Sequence, residues 1–564
     1  MQMTKENILF TNGLPLKESP YPGFNQTEYV LNKGEIVKEG RMPLASDVLV
    51  QQDVKVPLSD GTNIYIDIFR PNKSGKFPVI LWYAPYGKRN SLLNMDNFNH
   101  PTRMDVKPEW EDGLNAFEAP NPSYWVSHDY IVINPDPRGI GSSEGNAYAW
   151  GSQNAKDEYD LINWIENQEW SSGSVGTTGT SFLAMTQYKV ASLKPRALKA
   201  IAPWEGAFSP FAESMARGGV PDLGFSATLS RMLYTDAQIE DTGAMFMADP
   251  FYNDYWADKT PDLSDVEIPT YVVGSWTNAL HSKGATEAFT KLKSEKKWLR
   301  INNTHEWTDY YNPENVEDLR HFFDHYLKGV DNGWENTPKV RMTVLNPGHE
   351  DIVNRPEEIY PPKGQTIQTL YLNKENEDLT LTNSPKLSED SISYDVTSEG
   401  ITFKMTMPES SEYIGQFSAK LFVEAVGNDD MDLFIFIRKI GLNGEKLEPE
   451  IVTDRFYPGP NGRLRVSQRK LNTAESTPLN PVLLQTGEEK LNQNEIVEVE
   501  VPFWPFGMKW EKGEVLEMTI SPNDQIIRPE FPDLPPVPTI NKGQHKIYFG
   551  GKYDSQVRLP LIKN

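Results

Sequence analysis

Short apolar runs alternate with amphipathic helical stretches through the first three hundred or so residues, and this alternation most constrains the fold. Phe77–Tyr83, Tyr130–Asn134, Val175–Gly179, Leu198–Ala202, Thr270–Gly274 and Trp298–Asn302 are strand-length apolar segments. Between two of them, Glu158–Gln168 carries Leu161, Trp164 and Ile165 at i, i+3 and i+4, one face of a helix. Runs of this kind, too far apart for hairpins, predict βαβ units around a mainly parallel sheet. Residues 209–263 break the rhythm with a stretch rich in Met, Phe, Tyr and Ala, expected to be helices inserted as a cap. The α/β domain is therefore expected over 51–208 and 264–337.

After residue 337 the pattern changes. VRMTVL, ITFKMTM, AKLFVEAV and DLFIFIRKI are short strand patterns punctuated by Pro, Gly and Asn, so residues 338–564 are expected to form an all-β sandwich. With 564 residues, two or three domains are the ordinary outcome.

Charge and composition exclude several functions. A net charge of −24 repels nucleic acid and anionic membranes; it could favour a cationic substrate, but solubility is the better explanation. There are no cysteines, hence no thiolate nucleophile or Cys-based zinc site. The mean hydropathy is −0.55 and no run approaches the ~20 apolar residues of a membrane span. Residues 1–50 read as an extension along the surface and, lacking a continuous apolar segment, not as a secretory signal. A cytoplasmic protein is expected, and exposed sheet edges are compatible with a homodimer.

GSVGTTGTSFLAMTQYKVASLKP (173–195) is the most informative segment for chemistry. A strand of small residues runs into a helix, with Ser181 at the turn. A nucleophile elbow needs that position, because the tight turn exposes the hydroxyl above the sheet and aims the helix N-terminus at a developing oxyanion. Gly179 and Ala184 supply the small flanks, although the Gly-x-Ser-x-Gly pattern is incomplete.

DPRGIGSSEG (136–145), followed by DEYDLINWIENQEWSSGSVGTTGTSFLAMTQ (157–187), resembles the cocaine-esterase and X-prolyl dipeptidyl-peptidase family of serine hydrolases. HFFDHYLKGVDN, PKVRMTVLNPG (338–348) and the closing YFGGKYDSQVRLPLI extend the resemblance over about residues 50–564. It implies an α/β-hydrolase domain, a helical cap and a C-terminal jelly roll, with no cofactor and no metal. It also implies Tyr86, in WYAPYGKRN, as an oxyanion donor beside the Phe182 N–H. His305, in INNTHEWTDYY, falls where the family's general base stands. The family's Gly-Gly-Trp-x-Asp acid is replaced here by Asn278 in VVGSWTNALHS.

Three explanations fit that replacement: Asn278 orients the imidazole without a charge, Glu205 supplies a carboxylate from the neighbouring strand end, or the site is inactive. His281 is a candidate substrate contact or partner of Asn278, or simply a helix-start residue. His321 and His325, four apart, lack acidic neighbours at metal-ligand spacing. The leading expectation is a serine hydrolase of the carboxylesterase or amidase type, acting on a small-molecule or peptide acyl substrate. Removal of X-Pro dipeptides and a catalytically weakened ligand-binding protein are the alternatives.

Overall fold

A computed structural model describes residues 7–89, 93–98, 103–225, 232–264, 266–453, 455–528, 531 and 534–563. All six strands expected from the apolar runs lie in one 11-stranded sheet. Seven of its strands are parallel neighbours, in the spatial order Val340–Val344, Lys297–Asn302, Thr270–Ser275, Leu198–Trp204, Ser171–Thr180, Phe77–Leu81 and Ile131–Asp136. The strands Asn63–Pro71, Val48–Pro57 and Thr27–Leu31 continue it in antiparallel fashion. This is an α/β-hydrolase fold.

The chain leaves Phe77–Leu81 for Ile131–Asp136 on one side and then crosses to Ser171–Thr180 on the other. Strand order reverses there, opening a crevice at the carboxyl ends of the strands, where open α/β sheets bind ligands. Two segments meet above it: the loop after Phe77–Leu81, which carries Tyr86, and the turn after Ser171–Thr180, which carries Ser181.

The Tyr86 loop is fixed from behind by buried charge. Lys88 bonds through Nζ to Asp136 at 2.5 Å and Asp53 at 2.9 Å, and Arg89 pairs with Asp53 and Asp67, each at 2.7 Å. Burial raises the pKa of Asp67 to about 7, against the pull of Lys88 and Arg89. A loop tied through neighbouring cations to three strands has little freedom to move Tyr86.

One boundary and the make-up of the cap differ from the sequence expectation. Val340–Val344, expected to open the β-rich domain, pairs in parallel with Lys297–Asn302, and Ile352–Glu357 completes that edge. Leu345, the residue after this strand, bridges to Met508, so the chain here edges the first sheet and also touches the second. The cap includes helices Thr242–Ala248 and Asp254–Lys259, but also a strand, Gln238–Glu240, that pairs with Phe10–Asn12. The N-terminal extension is thus stitched to the cap.

The remaining strands, from Gln365–Glu375 to Gln556–Ile562, form an all-β domain in which almost every pairing is antiparallel. Leu433, Ile435, Ile437, Met518 and Ile520 are fully buried in its core. Arg217 and Gln485 bridge cap and β domain through hydrogen bonds to Asn461 and Ala216. No helix among the described residues is long and apolar enough to cross a membrane.

Candidate active site

Ser181 has φ 57° and ψ −117°, a strained conformation for a residue with a Cβ, and the helix Phe182–Ser192 starts immediately after it. Its N–H donates to the carbonyls of Trp204 (3.1 Å) and Glu205 (3.2 Å), which pins the turn to the neighbouring strand. A Cβ on Gly179, at φ 137°, would meet Leu183 at 2.4 Å, so only glycine lets strand and helix close this tightly. The sequence-predicted elbow is present in full.

The imidazole against the Ser181 hydroxyl is that of His281. Nε2 of His281 lies 3.0 Å from Oγ of Ser181, and the ring is buried. Small residues bring it there. His281 caps the helix Ser282–Lys291, whose first turn carries Gly284; a Cβ on Gly284 would meet the Gly206 carbonyl oxygen at 2.3 Å. A Cβ on Gly206 would in turn meet that of Ala184, in the elbow helix, at 2.8 Å. The chain leaving Glu205 therefore packs between two helix starts, against Gly284 on one side and the Ala184 Cβ on the other, and His281 is held over Ser181.

His305, expected as the base, is placed elsewhere: it is hydrogen-bonded within its own loop. Nδ1 of His305 accepts the Trp307 N–H at 3.3 Å, capping the helix Glu306–Tyr311. Its Nδ1 is thus engaged by its own helix, and the ring within hydrogen-bonding distance of Ser181 Oγ is that of His281. His305 stands at the next strand end and lines a small cleft with Asn278, Ala279 and Glu306.

Asn278 is likewise not an imidazole orienter through its side-chain carbonyl. Its Oδ1 accepts the backbone N–H groups of Leu280 (2.9 Å) and His281 (3.1 Å), and its own carbonyl accepts the Ser282 hydroxyl at 2.7 Å. An asparagine shapes this turn as well as an aspartate. It positions His281 through the backbone.

Glu205 is fully buried at φ 48°, with Oε1 3.4 Å from Nδ2 of Asn302 and Ser275 close by. Burial, reinforced by Asp309, raises its pKa to about 8, so it is largely protonated at neutral pH. A neutral carboxyl at this strand end does not provide the negative charge expected of a catalytic acid.

The Tyr86 phenol interacts with the Ser181 hydroxyl and with Glu118. Burial first, and the Glu118 charge second, hold its pKa well above the ordinary tyrosine value, so it remains a proton donor. Glu118 is itself anchored, accepting the Trp307 indole N–H at 2.8 Å. Phe182, the first residue of its helix, presents an N–H without an intrahelical acceptor, and its ring packs against Trp150 and Tyr86 at 5.0 and 5.9 Å. Nucleophile, imidazole and two donors for an oxyanion thus converge. Elsewhere, His321 and His325 hydrogen-bond the carbonyls of Asn332 and Val330 at 2.9 and 3.0 Å.

Comparison with known proteins identifies the family of the chain. Residues 60–244 match the X-Pro dipeptidyl-peptidase (S15 family), and residues 332–558 match the X-Pro dipeptidyl-peptidase C-terminal non-catalytic domain. A CocE/NonD family hydrolase from Staphylococcus aureus is 33% identical, with a TM-score of 0.87 and coverage of 100% of both chains. Cocaine esterase from Rhodococcus sp. (strain MB1 Bresler) is 31% identical over 213 residues, 36% of this chain and 33% of that protein. Two Bacillus relatives are matched over 54% and 65% of their lengths. An α-amino acid ester hydrolase, 16% identical with a TM-score of 0.66 over 91% of this chain and 96% of its own, shares the fold.

Proposed function

The chain belongs to the CocE/NonD family of hydrolases, related to cocaine esterase and the X-Pro dipeptidyl-peptidases, and from that premise we propose that it cleaves a carboxylic ester or amide through an acyl-enzyme on Ser181. The observation that carries this is the 3.0 Å contact between Ser181 Oγ and His281 Nε2 on a strained elbow. His281 takes the serine proton as Oγ attacks the acyl carbon, then returns it to the departing alkoxide or amine. The negative charge on the tetrahedral oxygen is met by the Tyr86 hydroxyl and the Phe182 N–H, donors already in place before substrate arrives. Water, deprotonated by the same imidazole, releases the acid.

Both family matches carry the X-Pro dipeptidyl-peptidase description, which supports dipeptide release as the second reading. Glu205 is fully buried and lies 3.4 Å from the Asn302 amide, so it offers no exposed carboxylate to a substrate ammonium, and ester cleavage is the reading taken first. A fluorophosphonate probe should add one phosphonyl mass to the peptide containing Ser181 and none to Ser181→Ala. Intact wild-type protein that stays unlabelled would remove the hydrolase assignment. Relative rates on 4-nitrophenyl butyrate and an X-Pro anilide rank the two readings.

A further inference from the structure

Residues 10–25 of the N-terminal segment run from the cap to the back of the Tyr86 loop, and both ends are held by specific bonds. At the cap end, Phe10–Asn12 pairs with Gln238–Glu240. Leu14 then donates its N–H to the Leu233 carbonyl at 2.9 Å and accepts the Thr235 N–H at 2.8 Å. The Leu16 N–H donates to Oδ1 of Asp236 at 3.1 Å. At the far end, the Asn25 N–H donates to Oδ2 of Asp53 at 2.7 Å.

Between these anchors, Tyr21 lies against the two cations that follow Tyr86 in the chain. Its ring centroid is 5.4 Å from Lys88 Nζ and 5.5 Å from the guanidinium carbon of Arg89. Its hydroxyl donates to Oδ1 of Asp53 at 3.4 Å and stands 3.3 Å from Ser142 Oγ. Asp53 thus receives both cations, a backbone N–H and this phenol, and the side chains of Asp53 and Lys88 are fully buried. A desolvated ion network keeps its geometry only while its members keep their partners and water stays out. Tyr21 serves both needs, since its ring face attracts the cations and its body covers them.

The cluster is also joined to the catalytic loop. The Lys88 N–H donates to Oδ1 of Asp136 at 2.8 Å, so a shift in the cluster moves backbone two residues from Tyr86. Leu16, Ser19 and Tyr21 line one narrow cleft with Pro85, Tyr86 and Gly87, which puts the segment directly against that loop. Resting on the hydrolase assignment, we propose that Tyr21 is a positioning residue for the reaction. By clamping Lys88 and Arg89 onto Asp53, it holds the Tyr86 hydroxyl where the oxyanion forms. The N-terminal segment thereby links the cap to the oxyanion donor. A loosened clamp leaves Ser181 and His281 in place and displaces the donor alone, so the loss is bounded by what Tyr86 itself contributes.

The test measures kcat and KM for 4-nitrophenyl butyrate in Tyr21→Phe, Tyr21→Leu and Tyr21→Ala, each with and without Tyr86→Phe. Alone, the leucine and alanine variants should lower kcat about 10- to 100-fold and leave KM within about threefold of wild type. Tyr21→Phe keeps the ring face and should recover most of that rate. Combined with Tyr86→Phe, the same changes should cost less than about threefold, because the donor they position is gone. Tyr21→Leu keeps the apolar bulk and carries the test if the alanine variant does not fold. Near-wild-type kcat in both variants would overturn the proposal. So would an equal loss with and without Tyr86→Phe, the mark of a merely structural residue. A wild type that turns over no ester and takes up no fluorophosphonate would sink the hydrolase assignment instead. Hydrogen exchange judges the clamp without any catalysis: amides of residues 86–89 should exchange faster in Tyr21→Leu than in wild type, and unchanged exchange overturns the clamp.

Discussion

Gly284→Ala should disable the enzyme from a position that touches no substrate. The added Cβ would stand 2.3 Å from the Gly206 carbonyl oxygen, and 2.6 Å from both Ala207 Cα and Phe208 N, all of them backbone atoms. Ordinary contact begins near 3.4 Å, so the helix start and the chain after Glu205 must separate by about 1 Å, at an overpacking cost of ~1–3 kcal/mol. Alanine recovers up to ~1 kcal/mol of that by its better helix propensity. Global stability should therefore fall modestly, by a few degrees in Tm. Catalysis is more exposed, because His281 caps the displaced helix and Ser181 N is bonded to Glu205 O. A 3.0 Å contact lengthened by that amount is no longer a hydrogen bond, and a misplacement of about 1 Å costs on the order of 100-fold. Hydrolysis of 4-nitrophenyl butyrate, with Tm by scanning calorimetry, separates the two effects. Wild-type kcat/KM in folded Gly284→Ala would refute the claim that this glycine contact sets the dyad.

Two further outcomes follow from the site. Tyr86→Phe removes one oxyanion donor and leaves the aromatic packing, so kcat should drop about 10²–10³-fold with KM little changed; a tenfold or smaller loss would leave the Phe182 N–H to do this work alone. Glu205 has a folded pKa of about 8 against an ordinary 4.5. The folded state then keeps a proton that the unfolded state releases, and stability is lost as pH rises from the unfolded to the folded value. Glu205→Gln removes that dependence, so the variant's Tm relative to wild type should climb between pH 5 and 8.5, on the order of a few kcal/mol in stability. A difference that does not vary with pH would show that Glu205 is ionised in the folded protein.

The elbow was readable because its requirements are local: Gly179, Ser181 and Ala184 lie within six residues, and a tight strand-to-helix turn has few chemical solutions. Tyr86 was reached through the family resemblance, and the strand before it gave its height above the sheet. His281 was harder. Its approach to Ser181 depends on contact between the Gly206 backbone and Gly284, two segments 78 residues apart in sequence. The available signal was the glycine one turn into the helix that His281 caps, a costly residue for a helix interior unless something packs against it. Asn278 misled for a related reason, since side-chain identity does not reveal whether an Asx oxygen faces an imidazole or its own turn. The strand Val340–Val344 reads the same whichever sheet it joins, because the apolar pattern specifies a strand and not its neighbour.

We propose that His281, not His305, activates Ser181, and rates in His281→Gln and His305→Gln decide between the two. Pseudo-first-order labelling by a fluorophosphonate, followed by intact mass, reads serine activation without requiring the natural substrate. Loss of the base should slow labelling and 4-nitrophenyl butyrate turnover by at least about 10²–10⁴-fold in His281→Gln. His305→Gln loses the acceptor for Trp307 N–H, about 1 kcal/mol of cap stability, and should keep both rates within tenfold of wild type. Rapid labelling of His281→Gln together with an inert His305→Gln would contradict the account.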